Sequence, residues 1–166
     1  MYEELLRAAR AYEASFVPDQ HTAAPGRHLV VLACMDARLD LFRLLGLEIG
    51  DAHILRNAGG RATNDMIRSL VLSSTALGTR EIVVIHHTGC GLHQRTDADL
   101  RAAVAERTGA DASTISFHPF DDVAQSVRDD VAVLRGHPLL PDMTVWGGVY
   151  DVATGHLDIV DPPPES

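Results

Sequence analysis

The sequence predicts an α/β fold: a mostly parallel central sheet of about five strands with flanking helices, the last strand antiparallel in a hairpin. Three observations carry this reading. Short continuous apolar runs rich in β-branched residues recur along the chain, and such runs fit strands buried on both faces, as in a parallel sheet. Segments of helical periodicity separate those runs. The chain then closes on two strand-like segments joined by Ala153-Thr154-Gly155, which reads as a hairpin. At 166 residues there is enough chain for one domain with a full core and too little for two ordinary ones, so residues 1–166 read as a single domain.

The elements follow in order. MYEELLRAARAYEASF (1–16) reads as an amphipathic helix with Leu5, Leu6, Ala9, Tyr12 and Phe16 on one side. VPDQHTAAPGR (17–27) reads as a linker within the domain. The apolar face of the first helix is therefore expected to find its cover on a partner subunit. HLVVLAC (28–34) is the first strand, and DLFRLLG is a short helix ended by Gly46. AHILRN (52–57) is the second strand, after the turn signal Gly50-Asp51. Residues 63–77 are helical, with Met66, Ile67, Leu70, Val71, Ser74 and Leu77 in period, Thr63 or Asn64 as N-cap and Gly78 past the last turn. EIVVIHH (81–87) is the third strand, and residues 97–107 and 121–135 are helices. TVWGGVYDV and HLDIV form the closing hairpin, and the tail DPPPES reads as frayed.

Composition narrows the function. Fourteen Lys and Arg stand against 23 Asp and Glu, a net charge of -9. Nucleic acids and anionic membranes need a basic face, so neither is an expected partner. No apolar run is long enough to span a bilayer. The N-terminus starts acidic and lacks a basic stretch followed by an apolar one, so no secretory signal is read there and the expected location is cytoplasmic. Thiols stay reduced in that compartment. The chain's two cysteines then read as buried residues, metal ligands or redox groups rather than a disulfide.

Those cysteines fall at strand ends. Cys34 closes the first strand in LACMDARLD, and Cys90 follows the third in IHHTGCG. Ligand sites of parallel α/β sheets lie outside the carboxyl ends of the strands. Zinc takes thiolate and imidazole ligands at about 2.0–2.3 Å, and His87-x-x-Cys90 is a chelating spacing across a tight turn. Successive strand residues point to opposite faces, so His86 and His87 cannot both face one metal. Spacing favours His87, and His86 is expected to pack or hydrogen-bond under a helix. Asp36 and Arg38, two and four residues past Cys34, can share its side of the chain. There the guanidinium fork would keep the carboxylate ionised and oriented. Two bland readings compete: free cysteines are often plain core, and a surface Asp-Arg pair is common and worth little. A dithiol catalyst is disfavoured because neither cysteine has the Cys-x-x-Cys form. A dinucleotide loop fails because its third glycine would fall at Gln94.

Taken together, Cys34-x-Asp36-x-Arg38 followed by His87-x-x-Cys90-Gly91 resembles the β-class carbonic anhydrases, and RNAGG (56–60) is similar to that family's Arg-Asn-Ala-Gly segment. The likeness covers roughly residues 28 to 160, and the length is similar to the compact branch. The resemblance implies one Zn2+ per subunit on Cys34, His87 and Cys90, with Asp36 and Arg38 as a catalytic dyad and Asp36 as a conditional fourth ligand. It implies reversible hydration of CO2 to bicarbonate and a proton by zinc-bound hydroxide. Gly91 would offer its backbone N–H near the substrate. A homodimer, sometimes doubled to a tetramer, is expected. Gly89 departs from relatives that carry Asp or Asn between the histidine and the cysteine. His93 and His53 are candidate proton carriers only because histidine titrates near neutrality. Two other readings share these residues: hydrolysis of a CO2 analogue, carbon disulfide or carbonyl sulfide, and a zinc closed by four protein ligands in a structural module.

Overall fold

Four parallel strands and one antiparallel strand form a single sheet in the order β2-β1-β3-β4-β5. In chain order they are β1 (Leu29–Cys34), β2 (Ala52–Asn57), β3 (Glu81–His87), β4 (Thr144–Tyr150) and β5 (Leu157–Asp161). The helices are α1 (Tyr2–Ser15), α2 (Leu41–Leu45), α3 (Asn64–Leu77), α4 (Asp97–Thr108) and α5 (Val123–Arg135). The computed structural model describes residues 1–18 and 22–164. Residues 19–21 of the expected linker and 165–166 of the expected tail lie outside the described residues. The fold class predicted from the sequence is the one observed, including the antiparallel pairing of β4 with β5.

The apolar runs of β1 and β3 are buried on both faces, and their alternation sorts side chains into two cores. Val30, Leu32, Ile82 and Val84 join Leu70 of α3 and Val127, Val131 and Leu134 of α5. Val31, Ala33, Val83 and Ile85 join Leu39, Leu41, Leu47, Leu92 and Phe120 on the other face. Each of the fully buried Val and Leu side chains of α5 contributes about 1.5–3 kcal/mol to holding the layers together.

Local chemistry ends the elements where it does. Asp122 accepts a hydrogen bond from the Gln125 N–H and caps α5, so that helix starts two residues later than its periodicity predicts. Thr96 and Asp99 cap α4 reciprocally. Between β2 and α3 a turn of 3-10 helix, Ala58–Gly60, carries Gly59 and Gly60 at φ 78° and 71°. A Cβ on Gly60 would lie 2.9 Å from the Cys34 nitrogen, so only glycine lets this turn press on the end of β1. The tail expected to fray is tied down at its first two residues: Asp161 ends β5 and pairs with Arg135 at 2.9 Å, and Arg135 Nη2 donates to the Pro162 carbonyl at 2.9 Å.

The first helix stands apart. None of its residues is buried, and Leu5, Tyr12 and Phe16 are more than half exposed. No helix among the described residues is long and apolar enough to cross a membrane.

Gly147 of β4 marks where α5 sits hardest on the sheet. A Cβ there would strike Val127 Cγ1 and lie 3.0 Å from Val131 Cγ2. Gly147→Ala is expected to lower stability by about 1–3 kcal/mol, the usual cost of overpacking. Urea unfolding measures it; an unchanged midpoint would contradict the packing described.

Candidate metal centre

Parallel pairing of β1 with β3 sets Ala33 opposite Ile85, so the two strands end side by side. Cys34 is the last residue of β1 and His87 the last of β3. A tight turn through Gly89, at φ 66°, then brings Cys90 back to them. The ligand atoms of Cys34, His87 and Cys90 all lie within 4.8 Å of one another, and all three residues are buried. His87 Nδ1–H donates to the Thr88 carbonyl at 2.9 Å. That bond fixes the tautomer and leaves the Nε2 lone pair directed at the cysteines.

His87 Nε2 is the one buried side-chain nitrogen or oxygen among the described residues with no hydrogen-bond partner. An orphan acceptor of this kind costs about 1–3 kcal/mol, so native structures rarely keep one without a use. Two sulfurs and one imidazole nitrogen, converging and shielded from water, are a donor set suited to Zn2+. The residues present therefore fit the metal that the resemblance implies.

The two thiols ionise one at a time. Cys90 donates to the Cys34 sulfur, and this bond outweighs burial, which works the other way. The backbone N–H groups of Asp36 and Gly59 add to it, and the Cys34 pKa is held down at about 4. The negative Cys34 in turn pushes the Cys90 pKa up, as does burial. One proton is thus shared by the pair, and a coordinated dication would displace it, since a metal-bound thiol is deprotonated outright.

Asp36 and Arg38 complete the cluster. Asp36 Oδ1 accepts from the Arg38 backbone N–H and from Nε, both at 2.9 Å, and Oδ2 accepts from Nη2 at 2.8 Å. This fork holds the Asp36 carboxyl well below the usual carboxylate range. Arg38 Nη2 also donates to the Gly89 carbonyl at 3.2 Å, linking the two motifs. Asp36 Oδ2 lies 3.8 Å from His87 Nε2, so the carboxylate borders the three ligand atoms.

His86 points to the other face. Its Nδ1 lies 2.7 Å from Ser126 Oγ of α5, and its Nε2 lies 3.2 Å from both the Gly60 carbonyl and Asp130 Oδ2. Asp130 is itself held by Arg61, whose Nε donates at 2.8 Å. Burial works to raise the Asp130 pKa, but the His86 hydrogen bond and the Arg61 charge overcome it, and the net shift is down. Sequence reasoning did not single out Ser126, Asp130 or Arg61. A signal for Asp130 was present, because it stands in the apolar stripe Val127, Val131, Leu134 of α5.

The remaining candidates separate. A Cβ on Gly91 would meet nothing within 4 Å, so that turn faces open space beside Cys90. His53 lies at the amino end of β2, away from the cluster, with its two nitrogens on Ser73 Oγ and the Ala23 carbonyl. His93 Nε2 donates to the Asp121 carbonyl at 2.9 Å, and its ring lies against Phe120.

Comparison with known proteins agrees with this geometry. The family model described as carbonic anhydrase matches residues 29–157. Beta-carbonic anhydrase 1 of Mycobacterium tuberculosis is 44% identical over 139 residues, covering 83% of this chain and 85% of the relative. The crystal structure of carbonic anhydrase from Streptococcus mutans superposes with a TM-score of 0.91 at 43% identity, covering 96% of this chain and 97% of that one. A carbon disulfide hydrolase of Acidithiobacillus thiooxidans is 36% identical over 152 residues, covering 79% of this chain and 76% of the relative. The chain belongs to the β class of the carbonic anhydrase family.

The buried charges behind β3 give a stability test. Removing one partner of a buried ion pair costs about 3–5 kcal/mol, because the other charge is left uncompensated. Asp130→Ala is expected to cost that much in urea unfolding by stranding Arg61. A loss under 1 kcal/mol would mean that solvent already screens the pair.

Proposed function

We infer that this protein is a zinc enzyme that interconverts CO2 with bicarbonate and a proton. The observation that carries the reading is the buried triangle of Cys34, His87 and Cys90 with an ionised, Arg-held carboxylate on its border. Cys34 Sγ, His87 Nε2 and Cys90 Sγ would hold one Zn2+ per subunit. Zinc held there supplies Lewis acidity, which makes a nucleophile of water at moderate pH.

The chain's own residues do the rest. Asp36 stays ionised across the neutral range, so it accepts a hydrogen bond rather than storing a proton, and it orients the attacking oxygen. Arg38 cannot ligate; its work is to fix Asp36. Gly91 offers its backbone N–H to the substrate from the open side of the turn. Asp36 serves as a fourth ligand only when it leaves the fork, and the three hydrogen bonds from Arg38 support the open arrangement over a closed structural zinc. Hydrolysis of carbon disulfide is the second reading, favoured by the 36% identity to enzymes of that activity. It would use the same ligands.

The unburied apolar face of α1 supports a homodimer in which this helix lies across the partner, with doubling to a tetramer open to it. Residues 1–166 then form one domain plus this exchanged helix. Two free thiols suit a cytoplasmic location.

Stopped-flow CO2 hydration by the zinc-loaded protein tests the central reading: we expect turnover with CO2, whereas sulfide release from carbon disulfide without CO2 hydration would establish the second reading. Metal analysis tests the ligands. Cys34→Ser, Cys90→Ser and His87→Ala are expected to lose zinc, while His86→Ala keeps it; the reverse for the two histidines would reassign the ligand. Arg38→Ala is expected to keep zinc and lose about 10–100-fold in rate, as variants beside metal ligands do.

Light scattering tests the assembly. The full chain is expected to run as a dimer or larger, and removal of residues 1–16 to weaken it. A monomer at micromolar concentration would refute the role given to α1.

A further inference from the structure

The loop that carries the chemistry, residues 34–39, has no regular ladder of its own, because β1 ends at Cys34 and α2 begins at Leu41. Its carbonyls nevertheless find one common donor. Arg56 sits on the edge strand β2, opposite Ala33 in register. Its Nε donates to the Cys34 carbonyl at 2.8 Å, its Nη2 to the Asp36 carbonyl at 2.5 Å and its Nη1 to the Leu39 carbonyl at 3.4 Å. One planar guanidinium thus touches the backbone of a metal-ligand residue, of the dyad carboxylate and of the residue that closes the loop. The next residue helps: the Asn57 carbonyl accepts from the Met35 N–H at 2.8 Å.

We propose that Arg56 is a positioning residue, which sets the aim of Cys34 and Asp36 by clamping the carbonyls of their loop. This rests on the function proposed above. The guanidinium is suited to the task because its donors form a rigid fork, whereas a lysine offers a single mobile charge. Arg56 remains an exposed residue on a sheet edge. Its three hydrogen bonds are partly open to water and add little to global stability. Their effect is local: without the clamp the Cys34–Asp36 backbone can turn, and both the sulfur and the carboxylate lose their direction. Partial exposure also means that a small cation can enter the space a truncated side chain leaves.

The test uses Arg56→Ala and Arg56→Lys in the full chain, with three readouts: the absorption spectrum of the cobalt(II)-substituted protein, the rate of zinc loss to a chelator, and CO2 hydration. Arg56→Ala is expected to keep the parent's circular dichroism and unfolding midpoint, to change the cobalt spectrum, and to lose zinc and activity with factors of about 10–100. Millimolar guanidinium chloride is expected to restore spectrum and rate toward the parent, while sodium chloride at equal concentration does not. Arg56→Lys should fall between. A parental cobalt spectrum and zinc-loss rate in either variant would overturn the proposal, and if Arg56→Ala fails to fold, Arg56→Lys decides it. If the parent binds cobalt but does not hydrate CO2, the proposed function fails, while the spectrum and zinc-loss rate still judge Arg56.

Discussion

Everything at the candidate centre depends on the parallel pairing of β1 with β3. Parallel strands end on the same edge of a sheet, so residues separated by about a third of the chain in sequence become neighbours without any loop having to reach. Here Cys34 and His87 are delivered that way, and only the Thr88–Gly89 turn is needed to add Cys90. The pairing is secured by burial on both faces, since Val30–Ala33 and Ile82–Ile85 are all at most 1% exposed. A register slip of one residue would exchange the two faces of β3 and with them the two histidines.

That exchange matters because β3 ends in two histidines of opposite use. His87 faces the cysteines with a free nitrogen. His86 faces α5 and is tied to Ser126, Gly60 and Asp130. The Asp130–Arg61 pair therefore braces the strand from behind, while Gly60 presses the 58–60 turn on the end of β1. From the edge strand, Arg56 and Asn57 hold the loop after β1 by its backbone. Rigid elements thus converge on a centre whose own loops are short, the arrangement that metal ligands need if three donors are to meet within bonding reach.

Much of this was legible in the sequence. The buried runs of β1 and β3, the spacing of β2 after Gly50-Asp51, and the Ala153-Thr154-Gly155 hairpin are patterns that burial and turn chemistry force on a sequence directly. The alternation rule also separated His86 from His87, because a side-chain period of two requires no knowledge of partners. What the sequence hid is partnership across the chain. The RNAGG segment draws notice to Arg56 by resemblance, but nothing local gives it a partner or a task until its carbonyl acceptors are seen. Arg61 and Asp130 are 69 positions apart, and no local pattern pairs them. The start of α5 was misplaced because Asp122, one of two successive aspartates, turned out to be the cap.

Zinc K-edge X-ray absorption on the zinc-loaded protein tests the central claim most directly, because it reads the donor atoms themselves. The account predicts two sulfur scatterers at about 2.3 Å and nitrogen or oxygen scatterers at about 2.0–2.2 Å, including an imidazole. A first shell without sulfur, or with a single sulfur, would contradict a site built from Cys34, His87 and Cys90.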